Sequence, residues 1–172
     1  MIIWITGLSG AGKTTLGRAI YDALVLKDIK NIIWLDGDVV RKVLSPDLDY
    51  SEESRIMQVQ KVQSLAKYLE SQNQIVIASI LYFNDSLSKW NRKNFRDYME
   101  IYIKVTIDKL IERDSKELYG KALSGEINNV VGVDIKWTDP EEADITINNG
   151  EFYEVSEQVE EILNLLNKQM EI

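Results

Sequence analysis

The sequence predicts an α/β fold in which helices flank a parallel sheet, and three observations carry that prediction. Five short β-rich apolar runs recur along the chain; polar or helical-period stretches separate them; and the first run feeds a glycine-rich turn that opens a helix. Parallel strands need long crossover connections, so this alternation is the rhythm of a parallel sheet with crossover helices.

The elements follow in order. Residues 2–6 read as a buried strand running straight into the turn. Residues 14–27 place Leu16, Ile20, Ala23 and Leu24 on one helical face, and residues 31–35 give the second strand. Ser51 followed by Glu52 and Glu53 is a helix cap with acidic first-turn residues that suit the helix dipole. The helix it opens runs to about Glu70 along a stripe of Ile56, Val59, Val62, Ala66 and Leu69. Strands are expected at 74–80, 101–105 and 145–147, and a last packing helix at 156–168. Between Arg113 and Asp139 the pattern dissolves into charged and small residues, including Gly120, Gly125 and Gly132, which suits a mobile lid. Trp4, Trp34, Phe95 and Tyr102 fall in or beside core elements and read as packing. With only Pro46 and Pro140 and no linker-like tract, residues 1–172 are expected to form one domain.

Composition narrows the chemistry. Lys plus Arg at 20 against Asp plus Glu at 28 leaves a net charge of -8, which argues against a nucleic-acid surface. A small anion needs only a few local cations and amides, so an anionic metabolite stays open. The chain has no Cys and no His, so a general base must be a carboxylate or a lysine. No apolar stretch approaches membrane-spanning length and no leader is visible, so no membrane partner and a cytoplasmic location are the expectations. A homodimer is entertained, with no motif behind it.

Gly7-Leu8-Ser9-Gly10-Ala11-Gly12-Lys13-Thr14 matches G-x-x-x-x-G-K-[ST] between a strand and an amphipathic helix, the context a phosphate loop requires. Glycines let successive N–H groups converge on phosphate, Lys13 reaches the β- and γ-phosphates, and Thr14 offers its hydroxyl to Mg²⁺. ATP with Mg²⁺ is therefore the expected cofactor pair. A guanine switch would carry Asn-Lys-x-Asp, and a transporter signature would follow Leu123-Ser124-Gly125; neither is present.

Leu35-Asp36-Gly37-Asp38 ends the second strand, and carboxyl ends of parallel strands line the ligand crevice. Asp38 is assigned to an acceptor hydroxyl and Asp36 to Mg²⁺ through water. Arg41 and Arg55 are candidates to grip an anionic acceptor, Arg113 to meet the transferring phosphoryl group on lid closure, and Tyr50 and Trp137 to stack on a base.

Taken together, the chain resembles adenylyl-sulfate (APS) kinases along almost its whole length. The landmarks are the loop extended to Thr15, Asp36-Gly37-Asp38 with Arg41, Tyr50-Ser51-Glu52-Glu53 with Arg55, and Glu112-Arg113-Asp114 leading to Asn129, Gly132 and Asp134. The resemblance implies a P-loop kinase fold with five parallel strands, a flexible lid, and transfer of the ATP γ-phosphate to a ribose 3′-hydroxyl of a small nucleotide. It also implies an acceptor site at Asp38, Arg41, Tyr50, Arg55, Gln58, Ile80, Val130 and Trp137. The departures fall on that side: Val130 stands where the family has an aromatic, Gln58 replaces an asparagine, Ile80-Leu81-Tyr82-Phe83 replaces Ile-Ser-Pro-Tyr, and Lys136-Trp137-Thr138 replaces Pro-Tyr-Glu. Relatives of the family phosphorylate cytidine diphosphoramidate, and a smaller base fits the altered walls. APS, cytidine diphosphoramidate, a non-nucleotide metabolite and an ATP-binding module without transfer remain the alternatives.

Overall fold

A computed structural model describes residues 1–82, 84–113, 117–150 and 154–170. Strands β1 (Ile2–Thr6), β2 (Ile32–Asp36), β3 (Ile75–Ile80), β4 (Tyr98–Lys104) and β5 (Ile145–Asn148) form one sheet in the order β2-β3-β1-β4-β5. Every neighbouring pair is parallel. The helices between them are α1 (Lys13–Leu26), α2 (Gly37–Leu44), α3 (Glu52–Ser71), α4 (Asp85–Asn94), α5 (Ile107–Arg113), α6 (Leu118–Leu123) and α7 (Val155–Met170).

The sequence dictates the centre of the sheet. β1 and β3 are wholly buried and read as near-continuous apolar runs, as expected of strands covered on both faces. β1 lies between β3 and β4, where the strand order reverses, so the loop leaving its carboxyl end opens into the crevice of a doubly wound sheet. Trp4, Phe95, Trp90 and Tyr98 pack as an aromatic cluster at the other side of this core, which confirms the packing role read for Trp4 and Phe95. Ser51 caps α3 as expected, its hydroxyl accepting from the Ser54 N–H at 3.3 Å.

Two differences have physical causes. β4 begins three residues earlier than its apolar pattern suggests, because Glu100 lies fully buried within it, held by Ser88, the Tyr98 hydroxyl and Arg92. α4 escapes the apolar periodicity because its buried face is partly polar: Asn91 is fully buried, accepting from Gln63 of α3 at 2.7 Å and donating to Tyr98. The segment expected as a lid carries α6 and a bridge between Val131 and Ile135, and it buries Tyr119, Val130, Val131 and Ile135. Its composition hid this because the anchoring residues are isolated among glycines and charges. Among the described residues no helix is long and apolar enough to cross a membrane.

Candidate active site

The loop between β1 and α1 is shaped by glycines that nothing larger could replace. A Cβ on Gly7 would stand 2.6 Å from the Ile103 carbonyl oxygen of β4, and Gly12 takes φ +107° immediately before α1. Three contacts then pin the loop from other parts of the chain. Asn149, just beyond β5, donates from Nδ2 to the Ala11 carbonyl at 2.9 Å. Tyr119 of α6 donates its hydroxyl to the Ser9 carbonyl at 2.9 Å. Ser79, near the end of β3, donates to the Lys13 carbonyl at 3.2 Å while accepting from Trp34 Nε1 at 3.2 Å. Asn149 and Ser79 gave no motif signal; Tyr119 lies in a landmark stretch but had no assigned role.

Lys13 folds back to donate to the Leu8 carbonyl at 2.7 Å. Burial lowers its pKa to about 8, against the opposing pull of Asp38 and then Asp36. Thr14 Oγ1 donates to Asp36 Oδ2 at 2.7 Å, while Asp36 Oδ1 caps α2 by accepting from the Asp38 and Val39 amides. Hydroxyl and carboxylate therefore stand together where a magnesium held between phosphates would meet them. Among the described residues there is no group of three or more acidic side chains able to hold a metal alone, and a magnesium that keeps its waters and shares phosphate oxygens needs only one or two protein ligands.

A cleft of about 900 Å³ runs from this loop to the N-terminus of α3. Ser9, Gly10, Gly12, Lys13, Thr14 and Thr15 line one end, with Asp36 and Asp38 between. Arg41, Tyr50, Arg55, Gln58, Ile80 and Val130 line the other. Gly7 and Ala11 shape the loop from beneath, both buried. The Asp38 carboxylate lines the same cleft as Lys13 and Arg55.

The acceptor-side arginines do more structural work than their spacing suggested. Arg41 Nη1 donates to the carbonyls of Leu48 and Asp49, at 3.1 and 2.6 Å. Arg55, only 8% exposed, donates from Nε to the Tyr50 carbonyl at 3.0 Å and from Nη2 to the Asn129 carbonyl at 2.7 Å. One guanidinium thus ties together the segments carrying Tyr50 and Val130. Both cations also lie over the Tyr50 ring, at 4.9 and 5.4 Å. Asp134 completes the Val130 turn by accepting from the Asn129 and Val130 amides. Burial and then neighbouring Arg41 lower the pKa of Arg55, the mark of a crowded cationic patch suited to an anion.

Two expected site residues stand elsewhere. Trp137 packs on Tyr102 with ring centroids 6.0 Å apart and donates to Asp139 at 2.9 Å, lining a separate pocket of about 330 Å³. Its partners come from β4 and the residues before β5, and Tyr50 lines the other cleft, so the structure does not bring the two expected stacking residues together. Arg113 is exposed at the end of α5 and, among the described residues, reaches toward the Gly150 carbonyl at 3.5 Å. Phe83 and Asp114 lie outside the described residues.

A phosphate loop on the central strand, a Thr–Asp pair at its end and a carboxylate in a cleft with two arginines define a P-loop phosphotransferase. The comparisons narrow the class: the family described as adenylylsulphate kinase matches residues 1–148, and the chain belongs to it. It is 46% identical over 165 residues to the cytidine diphosphoramidate kinase of Campylobacter jejuni, covering 96% of this chain and 95% of that one. It is 38% identical over 146 residues to a probable adenylyl-sulfate kinase of Archaeoglobus fulgidus, covering 85% and 94%. The APS kinase of Mycobacterium tuberculosis, solved in complex with AMPPNP and APS, superposes with a TM-score of 0.86 at 27% identity over 96% of both chains.

Proposed function

We propose that this chain transfers the γ-phosphate of Mg·ATP to the ribose 3′-hydroxyl of cytidine diphosphoramidate, in the cytoplasm where ATP is supplied. The observation that carries the reading is the position of Asp38, in the first turn of α2, where it lines one cleft together with the phosphate-loop lysine and the acceptor-side Arg55. A carboxylate there can accept a hydroxyl proton from a group held by the cationic pocket while that group faces the phosphate loop. Lys13 and the loop amides orient the triphosphate, and Thr14 and Asp36 would hold the magnesium. The ion supplies neutralisation of phosphate charge; the residues supply placement, the larger part of phosphoryl-transfer catalysis.

The nucleoside pocket supports the smaller base. Tyr50 offers a ring that is 59% exposed, while Val130, lining the same cleft, is 5% exposed and offers only an aliphatic face. A single stacking ring suits a one-ring pyrimidine, and the likeness to a cytidine diphosphoramidate kinase over nearly the full chain agrees. APS is the second reading, favoured by the family match.

The test is a coupled ADP-release assay with cytidine diphosphoramidate, APS and non-nucleotide alcohols. Turnover should rise with the cytidine compound, its product should gain one phosphate at the ribose, and Asp38→Asn should lose kcat by about 10²-fold or more. Release of ADP that is flat across all acceptors would overturn the assignment in favour of an ATP-binding module.

A further inference from the structure

Gln58 stands in the cleft wall as a buried polar side chain. It lies on α3 one turn beyond Arg55 and is 6% exposed, and among the described residues neither its Oε1 nor its Nε2 has a hydrogen-bond partner. Buried amides are nearly always paired, and leaving both atoms unpaired is destabilising. Its polar neighbours on the same wall are satisfied: Arg55 bonds two carbonyls and the Tyr82 hydroxyl donates to Glu52. An amide that no described protein group pairs, in the wall of a ligand cleft, is available to a group that the cleft binds.

The order of residues along α3 indicates which part of the ligand it meets. Tyr50 precedes the helix, Arg55 lies in its first turn and Gln58 one turn further, so the three follow one line down the wall. A base laid on the exposed Tyr50 ring would direct an anionic tail along Arg41 and Arg55 toward Gln58. A primary amide presents a donor and an acceptor side by side. A terminal sulfate carries only acceptors: it satisfies Nε2 and leaves Oε1 facing an oxygen lone pair. A terminal phosphoramidate carries P–O and P–NH₂ together and satisfies both atoms.

We infer that Gln58 is the specificity-determining residue for the acceptor's terminal group, donating from Nε2 to a phosphoryl oxygen and accepting at Oε1 from the P–NH₂ of a nucleoside diphosphoramidate. The inference rests on the reading of this cleft as a nucleotide acceptor site.

Four acceptors separate tail from base: cytidine and adenosine, each as the 5′-diphosphoramidate and as the charge-matched 5′-phosphosulfate. In the wild-type protein kcat/KM should favour phosphoramidate over sulfate by about tenfold or more for both bases, because the sulfate leaves a buried acceptor unpaired. Gln58→Met should bring that ratio to within about twofold, acting mainly through KM, and leave the cytidine-to-adenosine ratio in place. Gln58→Leu serves as a second variant, and since each ratio is read within one preparation, a partly unfolded fraction cancels. An unchanged tail ratio in both variants, a wild-type preference for sulfate, or a shift in base preference instead would overturn the inference while leaving a nucleotide kinase. Turnover of none of the four by the wild-type protein would remove the functional reading itself, and the inference with it.

Discussion

Lys13 holds a charge where solvent cannot help it. Burial brings its pKa from an ordinary 10.5 to about 8, with Asp38 and Asp36 only partly restoring it. In the free protein the unfolded chain therefore binds more protons than the folded one between those values, so this residue makes the fold more stable as pH rises through that window. A bound triphosphate reverses the balance, because its negative charge favours the ammonium form. Mg·ATP binding should take up a proton near pH 8, and affinity should fall as pH climbs above it. Calorimetry in two buffers of different ionisation enthalpy measures the uptake. Heats independent of buffer, or uptake that survives in Lys13→Met, would rule out this account. The lysine was legible from its motif because spacing alone fixes a phosphate loop. The bonds of Arg55 were not, since Asn129 lies 74 residues away and its acceptor is a carbonyl, which carries no residue-type signal.

Among the elements, α1 is positioned more tightly than its amphipathic stripe implies. A Cβ on Gly17 would stand 2.4 Å from Ser79 Oγ and 2.8 Å from Trp34 Nε1. These atoms are bonded to each other, and Ser79 also supports the Lys13 carbonyl, so neither is a free end that could swing aside. Gly17→Ala would gain about 1 kcal/mol of helix propensity. Overpacking against a fixed pair costs about 1–3 kcal/mol. The net expectation is a loss of about 1 kcal/mol together with a raised KM for ATP, read from the urea midpoint and from initial rates; a higher midpoint would contradict it. Strands and long helices were readable where one face is apolar, as in β1, β3 and α3. α4 and the start of β4 were not, because Asn91 and Glu100 are buried through polar partners that no periodicity reveals. The acceptor-side substitutions were legible as departures, but the isolation of Gln58 emerged only when its neighbours were seen to be engaged elsewhere.

At the scale of the whole molecule the phosphate loop is a junction rather than an appendage. It leaves the central strand, rests on β4 through Gly7, and is held by Asn149 after β5, by Tyr119 of α6 and by Ser79 of β3. Elements far apart in sequence thus meet at the residues proposed to bind ATP. Binding should therefore be confined to the folded chain and linked to its unfolding as a single transition. A ligand at 100 times its Kd stabilises by about 2.7 kcal/mol. For a chain of this length each kcal/mol moves Tm by about 2–4 °C, so Mg·ATP at that level should raise Tm by roughly 5–10 °C. Lys13→Ala should abolish most of that shift, since it removes the only side-chain cation of the loop motif. Scanning calorimetry decides the matter: a loop that melts on its own would show a first transition insensitive to the core, and a shift below about 2 °C under those conditions would mean that nucleotide binding and the sheet are not coupled in this way.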